Sequence, residues 1–289
     1  MKPATFDYCV ARSVDDAIAR LTQGGEDARP LAGGQSLVPM LAFRIARPSV
    51  LVDLNRIDAL AGISVVGGEL RIGAMTRQAQ TLNAPLVAEH APLLAQALRE
   101  VGHPPTRSRG TIGGSLAHAD PSAELPAVMV ALDAQLVVRN KTGERIIAAA
   151  DFFHDAFETA LRPSELLTEI RIPLNGAGGS AFQEISHRKG DFGIVCVAAC
   201  ATTDANKRCT RAALVLGGVA ATPVRCGEVE THLVGRELTA STIAAALDAI
   251  PEHRFELDSR NASRPYRLRV APVLARRALL AAASGVRST

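Results

Sequence analysis

Two short glycine motifs constrain this chain more than any other feature. Ala32-Gly33-Gly34-Gln35-Ser36-Leu37 and Thr111-Ile112-Gly113-Gly114-Ser115-Leu116 each combine a Gly-Gly pair, a small polar residue and a leucine, where one apolar segment gives way to the next element. Paired glycines reach backbone angles closed to other residues and let the main chain approach a neighbour or a ligand closely. Successive N–H groups in such a turn form a concavity that favours an anion, and an adjacent hydroxyl adds a donor. Two such loops facing each other suit a diphosphate; two tight turns with no ligand would use the same residues. Neither motif reads Gly-x-Gly-x-x-Gly, and no Gly-x4-Gly-Lys-Ser/Thr occurs, which disfavours a Rossmann dinucleotide fold and a P-loop ATPase. No Gly-x-Ser-x-Gly elbow supports a serine hydrolase.

The second motif runs on through Ala117-His118-Ala119-Asp120-Pro121-Ser122-Ala123-Glu124-Leu125-Pro126, a dense polar stretch ahead of an apolar helix. Asp120 or Ser122 can cap that helix. Glu124 can equally accept hydrogen bonds from ribose hydroxyls, as acidic residues do in other dinucleotide sites.

Periodicity divides the chain into short strands and helices. Ser13 is placed to cap a helix over Val14 to Leu21, with Gly24-Gly25 ending it. Strands are predicted over 29–32 and 50–54 with a brief apolar helix between them. Ile63 to Val66 and Glu69 to Ile72 form a hairpin about Gly67-Gly68. Helices are expected over 86–101 and 123–132, with no strong period across 102–121. A hairpin over 136–147 and a closing strand over 166–172 follow. Asn175-Gly176-Ala177-Gly178-Gly179 is the best linker. Beyond it come strands over 181–187, 194–203 and 211–216, then helices near 225–234, 240–249 and 270–284, an α+β pattern.

With 289 residues the chain suits two domains. Lys and Arg number 32 against 29 Asp and Glu, and the basic residues are scattered. Aromatics are 3% with no Trp, so a nucleic-acid stacking platform is not expected. No apolar run reaches the roughly 20 residues that cross a bilayer, and the N-terminus shows no secretory h-region. A soluble, cytoplasmic protein is expected, and the sequon Asn261-Ala262-Ser263 is read as chance. Cysteines stand at 9, 196, 200, 209 and 226 with no Cys-x2-Cys, so this chain should hold no iron–sulfur cluster. Cys196 and Cys200 are read as buried thiols in an alternating segment. No His-Glu-x-x-His or other zinc spacing occurs, and no metal site is expected.

The two motifs, with Arg109-Gly110 ahead of the second and Asp120-Pro121 through Pro126 after it, resemble the FAD-binding medium subunit of molybdenum hydroxylases, the enzymes related to xanthine dehydrogenase and aerobic carbon monoxide dehydrogenase. The resemblance covers essentially the whole chain. It implies an α+β fold: a two-part, PCMH-type FAD-binding domain over 1–175, its subdomains split near 55–60, then a small α+β domain over 176–289 with an antiparallel sheet and helices. It implies that the backbone of Ala32, Gly33, Gly34, Gln35, Ser36 and Leu37, and of Thr111, Ile112, Gly113, Gly114 and Ser115, holds the FAD pyrophosphate and nearby groups, with Gly102 and Gly110 beside them. Glu124 would sit near the adenosine part and Leu167 near the flavin. Gln183 and Lys189 match less defined cofactor-proximal positions. His118 and Asp120 would shape the flavin pocket rather than act as catalysts. Phe192 would lie close to the isoalloxazine, a buried core phenylalanine being the alternative. Where the family often reads Ile-Arg-Asn-Arg, this chain has Thr106-Arg107-Ser108-Arg109, whose smaller Thr106 and Ser108 could loosen contacts around the flavin.

FAD would carry the redox chemistry while the protein binds and orients it. The resemblance further implies two kinds of partner: a large subunit whose molybdenum cofactor oxidises the substrate, and a small subunit whose 2Fe–2S clusters deliver electrons to FAD here, for passage to a terminal acceptor. A dimer of heterotrimers is the expected assembly, with no catalytic residue in this chain. Two other functions use the same residues: a stand-alone FAD-dependent oxidoreductase, and a nucleotide-binding scaffold subunit without a redox role.

Overall fold

The computed structural model describes residues 2–174 and 178–285. The first layer is a small parallel sheet. β1 (Asp7–Val10), α1 (Val14–Gly24), β2 (Ala28–Leu31), α2 (Leu37–Ala42) and β3 (Val50–Asp53) follow in order, and β1 and β2 both run parallel to the central β3. Parallel neighbours need crossovers, and the segments carrying α1 and α2 supply them. The Ser13 hydroxyl caps α1 by accepting from Asp16 N–H at 3.0 Å, and Gly25, at φ 60°, closes it. Ala17, Ile18 and Leu21 pack against Val52 and Leu54. β1 was not expected: four residues, two exposed and then two partly buried, leave no alternation to read.

The second layer is an antiparallel sheet ordered β4-β5-β10-β6-β7. β4 (Ile63–Val66) and β5 (Glu69–Gly73) form the expected hairpin, Gly67 and Gly68 both taking positive φ. Then come α3 (Gln78–Asn83), α4 (Pro85–His90), α5 (Pro92–Leu98), α6 (Pro104–Arg109), α7 (Ile112–His118) and α8 (Glu124–Ala131), followed by β6 (Gln135–Asn140), β7 (Gly143–Ala148), the two-stranded β8 (Phe153–Asp155) and β9 (Glu158–Thr159), and β10 (Leu166–Pro173). The single helix expected over 86–101 is two helices. Pro92 has no N–H to continue the ladder, so it opens a new helix instead. The stretch without period, 102–121, also folds into two helices, each too short to repeat an apolar stripe. Neither Asp120 nor Ser122 caps α8: its N-cap is Ala123, and the Asp120 carboxylate accepts from Ser122 N–H at 2.9 Å in a local turn.

Of the expected linker, residues 175–177 lie outside the described residues, and Gly179 already opens the next strand. The third layer orders β11 (Gly179–Ile185), β12 (Val195–Thr203), β13 (Cys209–Gly217) and β14 (Val224–Arg225) as a consecutive antiparallel sheet. α9 (Gly227–Leu233), α10 (Ala240–Leu247) and α11 (Arg264–Ser284) cover one face. α11 begins six residues before the predicted start, because Ser263 caps it and Pro265 sits in the first turn, where no N–H is required. β12 does not alternate buried with exposed positions. Cys196, Ala198 and Cys200 face the core shared with α5 and α8, while Val197, Ala199 and Ala201 face the core under α11. Cys196 and Cys200 are free buried thiols, as read from the sequence. The buried Arg267 of α11 donates to the Ile194 and Gly218 carbonyls and, at 3.2 Å, to the Ser259 hydroxyl. Gly218 N–H in turn donates to Pro121 O at 3.0 Å, tying this layer to the polar stretch after α7.

Candidate cofactor site

The first glycine motif leaves the carboxyl end of β2, the edge of a parallel sheet where ligands of open α/β layers bind. The backbone N–H groups of Ala32, Gly33, Gly34, Gln35 and Ser36 have no hydrogen-bond acceptor among the described residues. Consecutive free donors around a left-handed glycine are the kind of backbone that can form an anion nest. Gly34 holds φ 73° to form it. Gly33 does a different job: a Cβ there would stand 2.3 Å from the Arg109 carbonyl oxygen and 2.8 Å from Gly110 Cα, so the two motifs touch backbone to backbone.

The second motif is the first turn of α7 rather than a free loop. Thr111 caps it, its hydroxyl accepting from Gly114 N–H at 3.0 Å. Ile112 N–H donates to Thr76 O at 3.1 Å, Gly113 N–H to Ala74 O at 2.8 Å and Ser115 N–H to Thr111 O at 3.2 Å. Most of its donors therefore serve the fold, and its glycines allow close packing: a Cβ on Gly113 would lie 2.5 Å from that of Ala74. The Ser115 hydroxyl remains available on the cavity wall.

Residues that the sequence reading did not select hold the motifs together. Asn55, two residues beyond β3, donates to Ala32 O at 3.0 Å. Its carboxamide oxygen accepts from the Arg77 guanidinium at 2.6 Å, and the same guanidinium donates to Arg109 O, the carbonyl against which Gly33 packs. Asp53 anchors Asn55 and accepts from the Tyr8 hydroxyl. No sequence motif announces these contacts, which join positions 32, 55, 77 and 109.

Between the layers lies one cavity of about 980 Å³, near the upper end for a ligand pocket. Ala32, Gly33, Gly34, Gln35, Ser36, Leu37, Gly102, Gly110, Thr111, Gly113, Gly114, Ser115, His118, Asp120, Glu124, Leu167 and Phe192 all line it. Three of the expected residues do not. Ile112 is fully buried in the core, Lys189 lies off the wall beside Gly190, and Gln183 lines a separate cavity of about 320 Å³ with Gln96 and Arg99. Thr106 also faces the main cavity. Phe192 is 64% exposed, which removes the core reading for it. Its loop is set by Gly190, whose φ of 87° accompanies packing against the His103 ring.

The wall is electrostatically mixed. Arg29 and Arg162 bring positive charge to it. His118 tilts against Phe157 with ring centroids 5.1 Å apart, and burial lowers its pKa, favouring the neutral ring. Glu124, 6% exposed, is pushed up to about 7 by burial, with smaller contributions from Asp120 and Glu100. Gln78, 4% exposed, also faces the cavity, and its carboxamide oxygen has no partner among the described residues. Free backbone donors, two cations and the orphaned Gln78 carboxamide oxygen around a cavity of this size fit a ligand with a charged centre flanked by hydrogen-bonding groups, as FAD is.

The comparisons with known proteins agree over the full length. Residues 4–175 match the family described as the FAD binding domain in molybdopterin dehydrogenase, and residues 180–282 match the CO dehydrogenase flavoprotein C-terminal domain. The chain is 41% identical to the 6-hydroxypseudooxynicotine dehydrogenase complex subunit alpha of Paenarthrobacter nicotinovorans, over 100% of this chain and 98% of that one. It is 38% identical to the carbon monoxide dehydrogenase medium chain of Afipia carboxidovorans, over 96% and 97%. A solved chain of carbon monoxide dehydrogenase from Hydrogenophaga pseudoflava superposes with a TM-score of 0.96 at 35% identity, covering 99% of this chain and 100% of that one. Among the described residues no helix is long and apolar enough to cross a membrane. By sequence, fold and the cavity its two glycine motifs build, this chain belongs to the family of FAD-binding medium subunits of molybdenum hydroxylases.

Proposed function

We propose that this chain is the electron-relay subunit of a heteromeric molybdenum hydroxylase and holds FAD non-covalently in the 980 Å³ cavity. The observation that carries the reading is the run of five free N–H groups over Ala32–Ser36, at the carboxyl end of a parallel strand. That nest would hold the diphosphate, helped by the field of Arg29 and the Ser115 hydroxyl. Glu124 and His118 would flank it, and Leu167 and Phe192 would bound the apolar part. When bound, FAD supplies the redox chemistry that joins one-electron carriers to a terminal acceptor. The chain's own work is to bind, orient and partly exclude water. In this reading the substrate is oxidised at a molybdenum cofactor in a large partner chain, and 2Fe–2S clusters of a small partner chain feed electrons to this one. Residues 1–175 form the FAD-binding domain and 176–289 the C-terminal domain of a cytoplasmic dimer of heterotrimers.

The test is the absorption spectrum of the chain purified with its natural partners, with mass analysis of the released chromophore. Flavin bands, released FAD, iron–sulfur absorbance and molybdenum are expected together. Flavin without molybdenum or iron would instead mark a stand-alone flavoenzyme. A folded, colourless chain that takes up no FAD would refute the reading.

A further inference from the structure

Gln78 is the first residue of α3, 4% exposed, and packed so closely under Gly110 that a Cβ there would lie 2.4 Å from its carboxamide oxygen. Its backbone N–H donates to Gly110 O at 2.9 Å, so main chain and side chain are both fixed against the second motif. Yet among the described residues its buried carboxamide oxygen has no hydrogen-bond partner, and the side chain lines the cavity. Burying an amide unpaired is unfavourable, and native structures rarely do so without a compensating ligand or water. A purely structural wall at this position would be better made by leucine or methionine.

The position says which ligand group is within reach. Gly110 Cα lies against Gly33, so the amide stands one residue layer from the Ala32–Ser36 nest. The groups next to the diphosphate in FAD are the hydroxyls of its two sugar-like arms, the ribityl chain on one side and the ribose on the other. A hydroxyl both donates and accepts, which matches a carboxamide.

We propose that Gln78 is a cofactor-binding residue whose carboxamide hydrogen-bonds a hydroxyl flanking the FAD diphosphate. The inference rests on the FAD reading above. Arg77, its chain neighbour, holds the two motifs together from behind while Gln78 faces the ligand.

The test compares the full-length chain with Gln78→Leu and Gln78→Met by titration with FAD, FMN and ADP, together with the melting temperature of the ligand-free proteins. The expected result is a loss of FAD affinity of about 5- to 100-fold, the effect of leaving a buried hydroxyl unpaired. The melting temperature of the ligand-free protein should stay level or rise, since an orphaned amide has been replaced by an apolar side chain. A merely structural residue would move the two readouts in the same direction. An equal loss for ADP assigns the contact to the ribose, and an equal loss for FMN assigns it to the ribityl chain. Unchanged FAD affinity in both variants, or a loss matched by a lower melting temperature in both, overturns the inference. If the unsubstituted chain itself takes up no FAD, it is the FAD reading that falls.

Discussion

Glu184 stands in β11 opposite Cys196 in β12, with one carboxylate oxygen buried and without a partner among the described residues. Gly193 closes over it: a Cβ there would lie 3.1 Å from that oxygen. Burial, then the nearby carboxylates of Glu124 and Glu100, push Glu184 up to about 8 from an ordinary 4.5. The native state therefore holds this proton more tightly than the unfolded chain does. Its contribution to stability is complete below about pH 4.5 and is lost as pH rises through about 8. At about 1.4 kcal/mol for each tenfold change in proton activity, the full displacement corresponds to about 5 kcal/mol. Glu184 is only partly sealed from solvent, and screening brings the working figure to about 3 kcal/mol. Glu184→Gln keeps the shape and removes the titration. Urea unfolding at about pH 4 and about pH 9 should show the variant level with the parent at the lower pH and about 3 kcal/mol more stable at the higher. The same difference at both pH values would refute the reasoning, because the substitution would then act through packing and not through charge.

Two other substitutions probe the joints of the site. Gly33→Ala places a methyl 2.3 Å from a backbone carbonyl that Arg77 also grips, so the two motifs must part. Calorimetric titration should show FAD affinity at least about 10-fold weaker, as overpacking of about 1–3 kcal/mol implies, and unaltered affinity would show that the contact does not shape the nest. Arg267→Met leaves the carbonyls of Ile194 and Gly218 without their buried donor. A net destabilisation of about 2 kcal/mol is expected by urea unfolding, the removed burial of a guanidinium offsetting part of the loss; an equally stable variant would mean the anchoring contributes nothing.

Much of the fold was legible because its punctuation is local. Gly24-Gly25, Gly67-Gly68 and Asn140 to Gly143 mark turns wherever they occur, and the strands and helices between them fall close to the expected bounds. What escaped was set by distant partners or by proline. β1 is a strand only because β3 lies beside it, Pro92 splits one apolar stripe into two helices, and Pro265 begins a helix where it could have been read as a stop. The site shows the same division. Gly33, Gly34 and Ser115 are visible as a motif, whereas Asn55 and Arg77 are ordinary polar residues until the chain brings them to the joint between the motifs, as Gln78 is until it reaches the cavity wall. The second glycine motif resembles the first in sequence yet differs in use. It spends its N–H groups on capping and on Thr76 and Ala74, while the first leaves five free.

β12 is buried on both faces, one in each of two cores. The two family regions that meet near residue 178 are therefore separate as units of descent but not as units of folding. A chain cut between them would leave Phe182, Cys196, Ala198, Cys200, Ala213 and Val215 as a naked apolar face on one fragment, and the backs of α5 and α8 as another on the second. Heat or denaturant should thus meet one cooperative transition. Recombination between relatives at this boundary would succeed only where both sides of the seam are exchanged together.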